Sequence, residues 1–256
     1  RFDDRIRRGF LYGDFQFQID DQSPDFLRKG VFSCYEPVGD EVAVSTGVAA
    51  LNRENWMDLL HLAHVDKGRG FQAYTDHYAR TDGAVYWSDS HQFTTYVDGY
   101  HEEIDRRTGS ACRCSEMISE LYVPRSQLVR FLSAVRGDLR GQGGSVIYGT
   151  VRLIERDEES FLAWAREPWA CVIFNLCVEH SEEGLQKARR IFRRLIDRAR
   201  ELGGSYYLTY HKFASREQVE ACHPRMRAFL EAKRRLDPEL RFQSEWWRHH
   251  SGLLER

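Results

Sequence analysis

Residues 117–139 read MISELYVPRSQLVRFLSAVRGDL, and the hydrophobic period changes halfway along them. Up to Val123 the residues sort into two unlike faces, as in a strand whose sides meet different surroundings. Pro124 cannot donate to a ladder and ends the strand. Beyond it Leu128, Phe131, Leu132, Val135 and Leu139 recur at helical spacing, one apolar stripe of an amphipathic helix. A strand running straight into a helix is the first half of a βαβ arrangement, and the flanking residues say which one.

Downstream, SVIYGTVRLIE (145–155) is a strand entered after GQGG, and ACVIFNLCVE (170–179) is another. EEGLQKARRIFRRLIDRARELGG (182–204) is a long helix with Leu185, Ala188, Phe192, Leu195, Ile196 and Ala199 on its apolar side and a glycine stop. SYYLTY (205–210) is a last short strand. The order β-α-β-β-α-β predicts an α+β fold, a ferredoxin-like βαββαβ antiparallel sheet with both helices on one face. After it, Ser215 and Gln218 form a capping-box pattern, a helix runs to a stop before Pro238, and FQSEWWRHH (242–250) is too aromatic for free coil.

Upstream the pattern is less regular. RGFLYGDFQFQI (8–19) suits a strand bent near Gly13, DDQSPDFLRKG (20–30) a turn with a short helical piece, and RENWMDLLHLAHVDKG (53–68) a helix carrying Trp56, Leu59, Leu60 and Ala63. AVYWSDSHQFTTYV (84–97) looks extended, and RRTGSACRCS (106–115) reads as a loop. The expected division is an irregular N-terminal α/β segment over 1–110 and a sheet domain with a C-terminal helical extension over 111–256.

Composition narrows the function classes. The 256 residues are 30% charged with a net charge of -2, and the mean hydropathy is -0.58. No apolar run approaches the ~20 residues that span a bilayer, and no signal-peptide pattern opens the chain. Near-neutral charge disfavours a dedicated nucleic-acid binder. The chain starts at Arg1, as a fragment or processed product would. Its six cysteines are scattered, and Cys112-x-Cys114 lacks the second pair or histidines that a zinc site needs. Reduced thiols and a cytoplasmic location are expected, with no metal.

Alternation sorts the strands further. Leu121 and Val123, Ile147, Val151 and Leu153, and Val172, Phe174, Leu176 and Val178 make an apolar face for the helices. The opposite face carries Glu120, Tyr122, Tyr148, Thr150, Arg152, Cys171, Ile173, Asn175 and Cys177. Solvated faces run to Lys, Glu and Thr. Tyrosines, an asparagine and a single arginine suit a wall that something docks against, or a pocket with a few placed polar groups.

SEMISELYVPRSQL, YGTVRLIERD, YHKFASREQV and MRAFLEAKRRLDPELRFQSEWWRH, with RRGFLYGDFQFQID near the start, resemble the C-terminal half of FAD-dependent oxidoreductases of the vanillyl-alcohol oxidase type. Within that family the likeness is to bacterial FAD-linked oxidases, alditol oxidase and the sterol Δ24-reductase. The resemblance implies a cap that holds a small-molecule substrate over FAD, with the flavin bound mainly by an FAD-binding domain absent from this chain. It implies Arg152 near the flavin pyrimidine, Asn175 lining the substrate site, and a basic pair, His211 and Lys212, entering it. Gln243 or Ser244 stands where the family has an asparagine that contacts the cofactor. Thr150 stands where alditol-oxidase-like members carry an acid.

On that basis His211 is the expected base, with Lys212 or Arg152 stabilising developing negative charge. Tyr122, Tyr148, Thr150, Asn175 and Glu120 are the expected substrate wall. The rival is a non-catalytic binding module that docks a partner on the sheet. Lys187, Arg190, Arg193, Arg194 and Arg198 do not argue for RNA, because interleaved Asp197 and Glu201 mark the wet face of an amphipathic helix. A homodimer is left open.

Overall fold

The computed structural model describes residues 1–47, 51–88 and 98–255. One six-stranded sheet organises the chain. Its strands are β1 (Tyr12–Phe17), β2 (Gly30–Tyr35), β3 (Cys114–Pro124), β4 (Val146–Ile154), β5 (Trp169–Glu179) and β6 (Ser205–Tyr206). They lie side by side in the order β2-β1-β4-β5-β3-β6, and every pairing is antiparallel. The fold is α+β.

The helices are α1 (Phe2–Arg7), α2 (Arg53–Val65), α3 (Lys67–Ala79), α4 (Tyr100–Thr108), α5 (Leu128–Gln142), α6 (Glu182–Glu201), α7 (Arg216–Cys222), α8 (Met226–Leu236) and α9 (Glu245–Glu255). Local chemistry sets their ends. The Ser181 hydroxyl accepts from the Gly184 N–H, Glu182 and Glu183 meet the positive end of α6, and Arg198 and Arg200 meet its negative end. The Ser215/Gln218 capping box is present at α7, as the sequence pattern required.

Helices α5 and α6 cover one face of the sheet. Phe131, Val135 and Leu139 from α5, and Ile191, Phe192, Leu195 and Ile196 from α6, pack on Leu121, Val123, Val151, Val172, Phe174 and Leu176. Transfer of such side chains from water contributes about 1.5–3 kcal/mol each. Leu185, expected on the apolar stripe of α6, is exposed near the start of that helix, whereas Ile191 is buried. Glycine is required where backbones meet: at Gly204 a side chain would strike the Tyr122 carbonyl, and at Gly149 it would strike the Phe17 ring.

The N-terminal segment departs most from the sequence expectation. Residues 20–29 form successive turns, not a helical piece, and the chain then returns as β2. Strand β1 pairs with β4 as well, Phe15 opposite Val151 and Gln16 opposite Thr150. The sheet thus runs across the expected division at 110/111. The expected strand over 84–97 falls mostly on residues 89–97, outside the described residues, and 84–88 carry no strand. The SYYLTY strand stops after Tyr206.

Candidate functional site

On the face away from α5 and α6, the ladders set the polar residues in rows. Arg152, Cys171 and Tyr122 are consecutive cross-strand partners. Thr150, Ile173 and Glu120 form the next row, and Tyr148, Asn175 and Ile118 the one after. Tyr148, Thr150 and Arg152 alternate regularly onto this face, and a bulge between Val146 and Tyr148 turns Val146 into the core instead. All five residues of the expected substrate wall, together with Arg152, therefore share one side of the sheet.

β1 adds groups that were not expected. Asp14 Oδ2 accepts from Thr150 Oγ1 at 3.1 Å and from Gln16 Nε2 at 3.2 Å. The same Gln16 amide donates to the Tyr148 hydroxyl at 3.1 Å. Burial pushes the Asp14 carboxyl above the usual range, and the bonds from Thr150 and Gln16 and the charge of Arg152 only partly hold it down. Burial also pushes Tyr148 up to about 12. Tyr74 and Tyr78 of α3, with ring centroids 4.4 Å apart, face this group.

Beside that network the Tyr122 hydroxyl donates to Glu120 Oε1 at 2.6 Å. The Tyr122 ring stacks on Trp169 at 5.5 Å and meets Trp164 edge-on at 5.9 Å. Burial, then the Glu120 carboxylate, pushes this phenol far up, so it donates at any ordinary pH. Burial likewise raises Cys171, which keeps its thiol inert. Arg152 is exposed and forms no ion pair with the described residues, while its charge acts on Asp14, Tyr148, Cys171 and Tyr210. Asn175 Oδ1 is buried with no hydrogen-bond partner.

The face is less open than expected. Helices α2 and α4 are tied to it through Glu116: His64 Nε2 lies 3.0 Å from Oε1, and the Tyr100 hydroxyl donates to Oε2 at 2.8 Å. His64 Nδ1 faces the Leu60 carbonyl at 2.8 Å, and Nε2 meets Glu116 at ion-pair distance without hydrogen-bond geometry. Burial opposes charge on His64, but the interactions with Glu116 and Leu60 outweigh it and raise the imidazole.

The expected basic pair is elsewhere. His211 is buried against the helix side, its Nε2 3.4 Å from Ser119 Oγ and its ring 4.4 Å from Phe192 of α6. Ser119 points opposite to Glu120, so His211 lies across the sheet from Arg152. Burial lowers its imidazole to about 4. Strand β6 ends after Tyr206; Tyr207 and Tyr210 stay on the side of Tyr122 and Arg152, and His211 turns to the helix side, against Phe192 and Phe213. Lys212 points outwards, 3.7 Å from Glu245 of α9. Ser244 accepts from the Trp247 N–H at the start of α9, and Gln243 is held by Leu240 and Arg248. These four residues do not join the Arg152 cluster.

Asp14, Gln16, Tyr74 and Tyr78 were missed by sequence reasoning. The signal for two of them was present, since Tyr12, Asp14 and Gln16 alternate with Phe15 and Phe17. Two surface grooves, about 630 Å³ beside Lys187 and Arg190 and about 370 Å³ beside His64 and Cys177, are lined by neither Arg152 nor Asp14. Among the described residues no cluster of histidine, cysteine and carboxylate side chains could hold a metal ion. No described helix is long and apolar enough to cross a membrane. No protein-family model matches the chain, and no curated protein matches it.

Proposed function

We propose that this chain is the substrate-side cap of an FAD-dependent oxidoreductase acting on a small, alcohol-like substrate, with the flavin held mainly by a separate FAD-binding domain. The observation that carries the proposal is the gathering of Arg152, Asp14, Tyr148, Thr150, Asn175 and Glu120 on one sheet face whose reverse side carries the hydrophobic core. Sequence resemblance supplies the flavin, and two features suit it. Arg152 is a fixed cation with no ion pair among the described residues, and Asn175 Oδ1 is a buried acceptor awaiting a donor.

When bound, the flavin would supply a hydride acceptor at N5. Arg152 would offset negative charge as it develops. Tyr148 and Asn175 would orient the substrate, and Tyr122 with its two tryptophans would wall it. His211, Lys212, Gln243 and Ser244 take no part in this proposal.

The test is reconstitution of the full-length protein with FAD, followed by anaerobic bleaching against alcohols, hydroxy acids and lactones. A yellow protein bleached by one class, and slowed by Arg152→Ala with FAD still bound, is expected. A protein that resists FAD overturns the proposal. A second function, a binding module that docks a partner on the sheet, is favoured by the exposure of Trp164 (39%) beside Tyr122 and of Tyr210 (42%) near Arg152. It predicts a flavin-free protein.

A further inference from the structure

Besides Glu116, the polar face holds Glu120 and Asp14, two carboxylates in contrasting settings. Glu120 receives the Tyr122 hydroxyl within the aromatic wall. Asp14 sits where β1 meets β4, with its Oδ2 fixed by Thr150 and Gln16. The pairs Phe15–Val151 and Gln16–Thr150, followed one step along the ladder, set Asp14 opposite Arg152. Yet the arginine makes no ion pair with it. The two groups are close enough for their charges to interact without forming an ion pair.

We propose that Asp14 is the proton acceptor of this site, positioned by Thr150 and Gln16. The assignment rests on the oxidoreductase function proposed above and gives it the base that His211 cannot be. A carboxylate that accepts hydrogen bonds on one oxygen keeps lone pairs for a substrate hydroxyl. Burial makes that carboxylate more basic than a solvated one, which suits proton transfer near neutral pH. In the step, the substrate O–H bond breaks and its proton passes to Asp14. The carbonyl would form as the C–H hydrogen leaves with its electron pair, as hydride, for which a bound flavin would supply the acceptor. Arg152 stabilises the transient negative charge on oxygen. The charged and titratable groups that face Asp14 are Arg152 and Tyr148 of β4, Tyr35 of β2, and Tyr74 and Tyr78 of α3.

The experiment has two arms. In the first, carbon-detected NMR follows the Asp14 carboxyl of the chain alone through a pH titration and on addition of glycerol as a hydroxyl probe. A midpoint above the ordinary carboxylate range is expected, rising further in Thr150→Val, together with a glycerol-dependent shift of the carboxyl signal. An ordinary midpoint unmoved by Thr150→Val, or a carboxyl insensitive to glycerol, overturns the proposal. In the second arm, flavin reduction is followed in the full-length holoenzyme. Asp14→Asn should slow it by about 10²- to 10⁴-fold and remove the acidic limb of the pH profile, with Asp14→Glu restoring part of the rate. An unchanged rate or an unchanged acidic limb overturns the assignment. If the wild-type protein takes up no FAD, the flavin function fails and the first arm alone decides what Asp14 does.

Discussion

Tyr122 shows how a residue can serve packing and polarity together. Its ring is buried between two tryptophans while its hydroxyl reaches Glu120. Tyr122→Phe keeps the stack and removes a charge-assisted hydrogen bond, so it should cost about 1.5–3 kcal/mol in urea unfolding. A loss below a few tenths would show that water replaces the bond. His211 and His223 carry a second prediction. Burial holds them neutral, lowering them to about 4 and about 3, against about 6.5 in an unfolded chain. The neutral-histidine contribution is fully present above about pH 6.5. It is lost as pH falls towards the folded values, because only the unfolded chain then takes up protons. Stability should fall by up to about 1.4 kcal/mol per pH unit per histidine across that window. Urea midpoints at pH 7 and pH 5 measure it, and His211→Phe should flatten the slope. The partition of Arg152, Thr150 and Asn175 to one face followed from strand alternation. The place of His211 did not, because nothing in SYYLTYHK marks where pairing stops.

At the scale of elements, α2 and α4 are held to the sheet by one buried carboxylate. The raised His64 contributes below the ordinary histidine range and is lost as pH climbs through its folded value. Glu116 is carried down by His64 and Tyr100 despite burial, so its contribution is present above the ordinary glutamate range and lost on acidification. The clasp is therefore strongest in between. Glu116→Gln should cost about 3 kcal/mol and speed amide exchange in α2 more than in β5. Equal acceleration in both would mean that the clasp is not local. Ser215→Ala should cost about 1 kcal/mol through the lost cap of α7. Caps and stripes were readable because they are local in sequence. Strand β2 was not: GVFSCY has too few residues to show a period, and its pairing with β1 decides its form.

At the scale of the molecule, both halves of the chain build one sheet. Residues 111–256 expressed alone should leave the β4 edge unpaired and the Phe17 site on the core empty, and should aggregate or give a poorly dispersed amide spectrum. A soluble, well-dispersed fragment would show instead that β1 and β2 are dispensable to the core. That shared sheet was not apparent from composition, because β1 and β4 find each other only through space.

The Thr150–Asp14 bond joins residues 136 apart in sequence. Contacts of such separation close late, since a long loop must lose its freedom before any pairing repays it. The β3-α5-β4-β5 segment can condense from near neighbours, whereas β1 must wait for β4 to exist. The Asp14 network is therefore expected to assemble late on this face during refolding, and the Asp14 carboxyl reaching its final environment would then serve as a clock for completion of the native state.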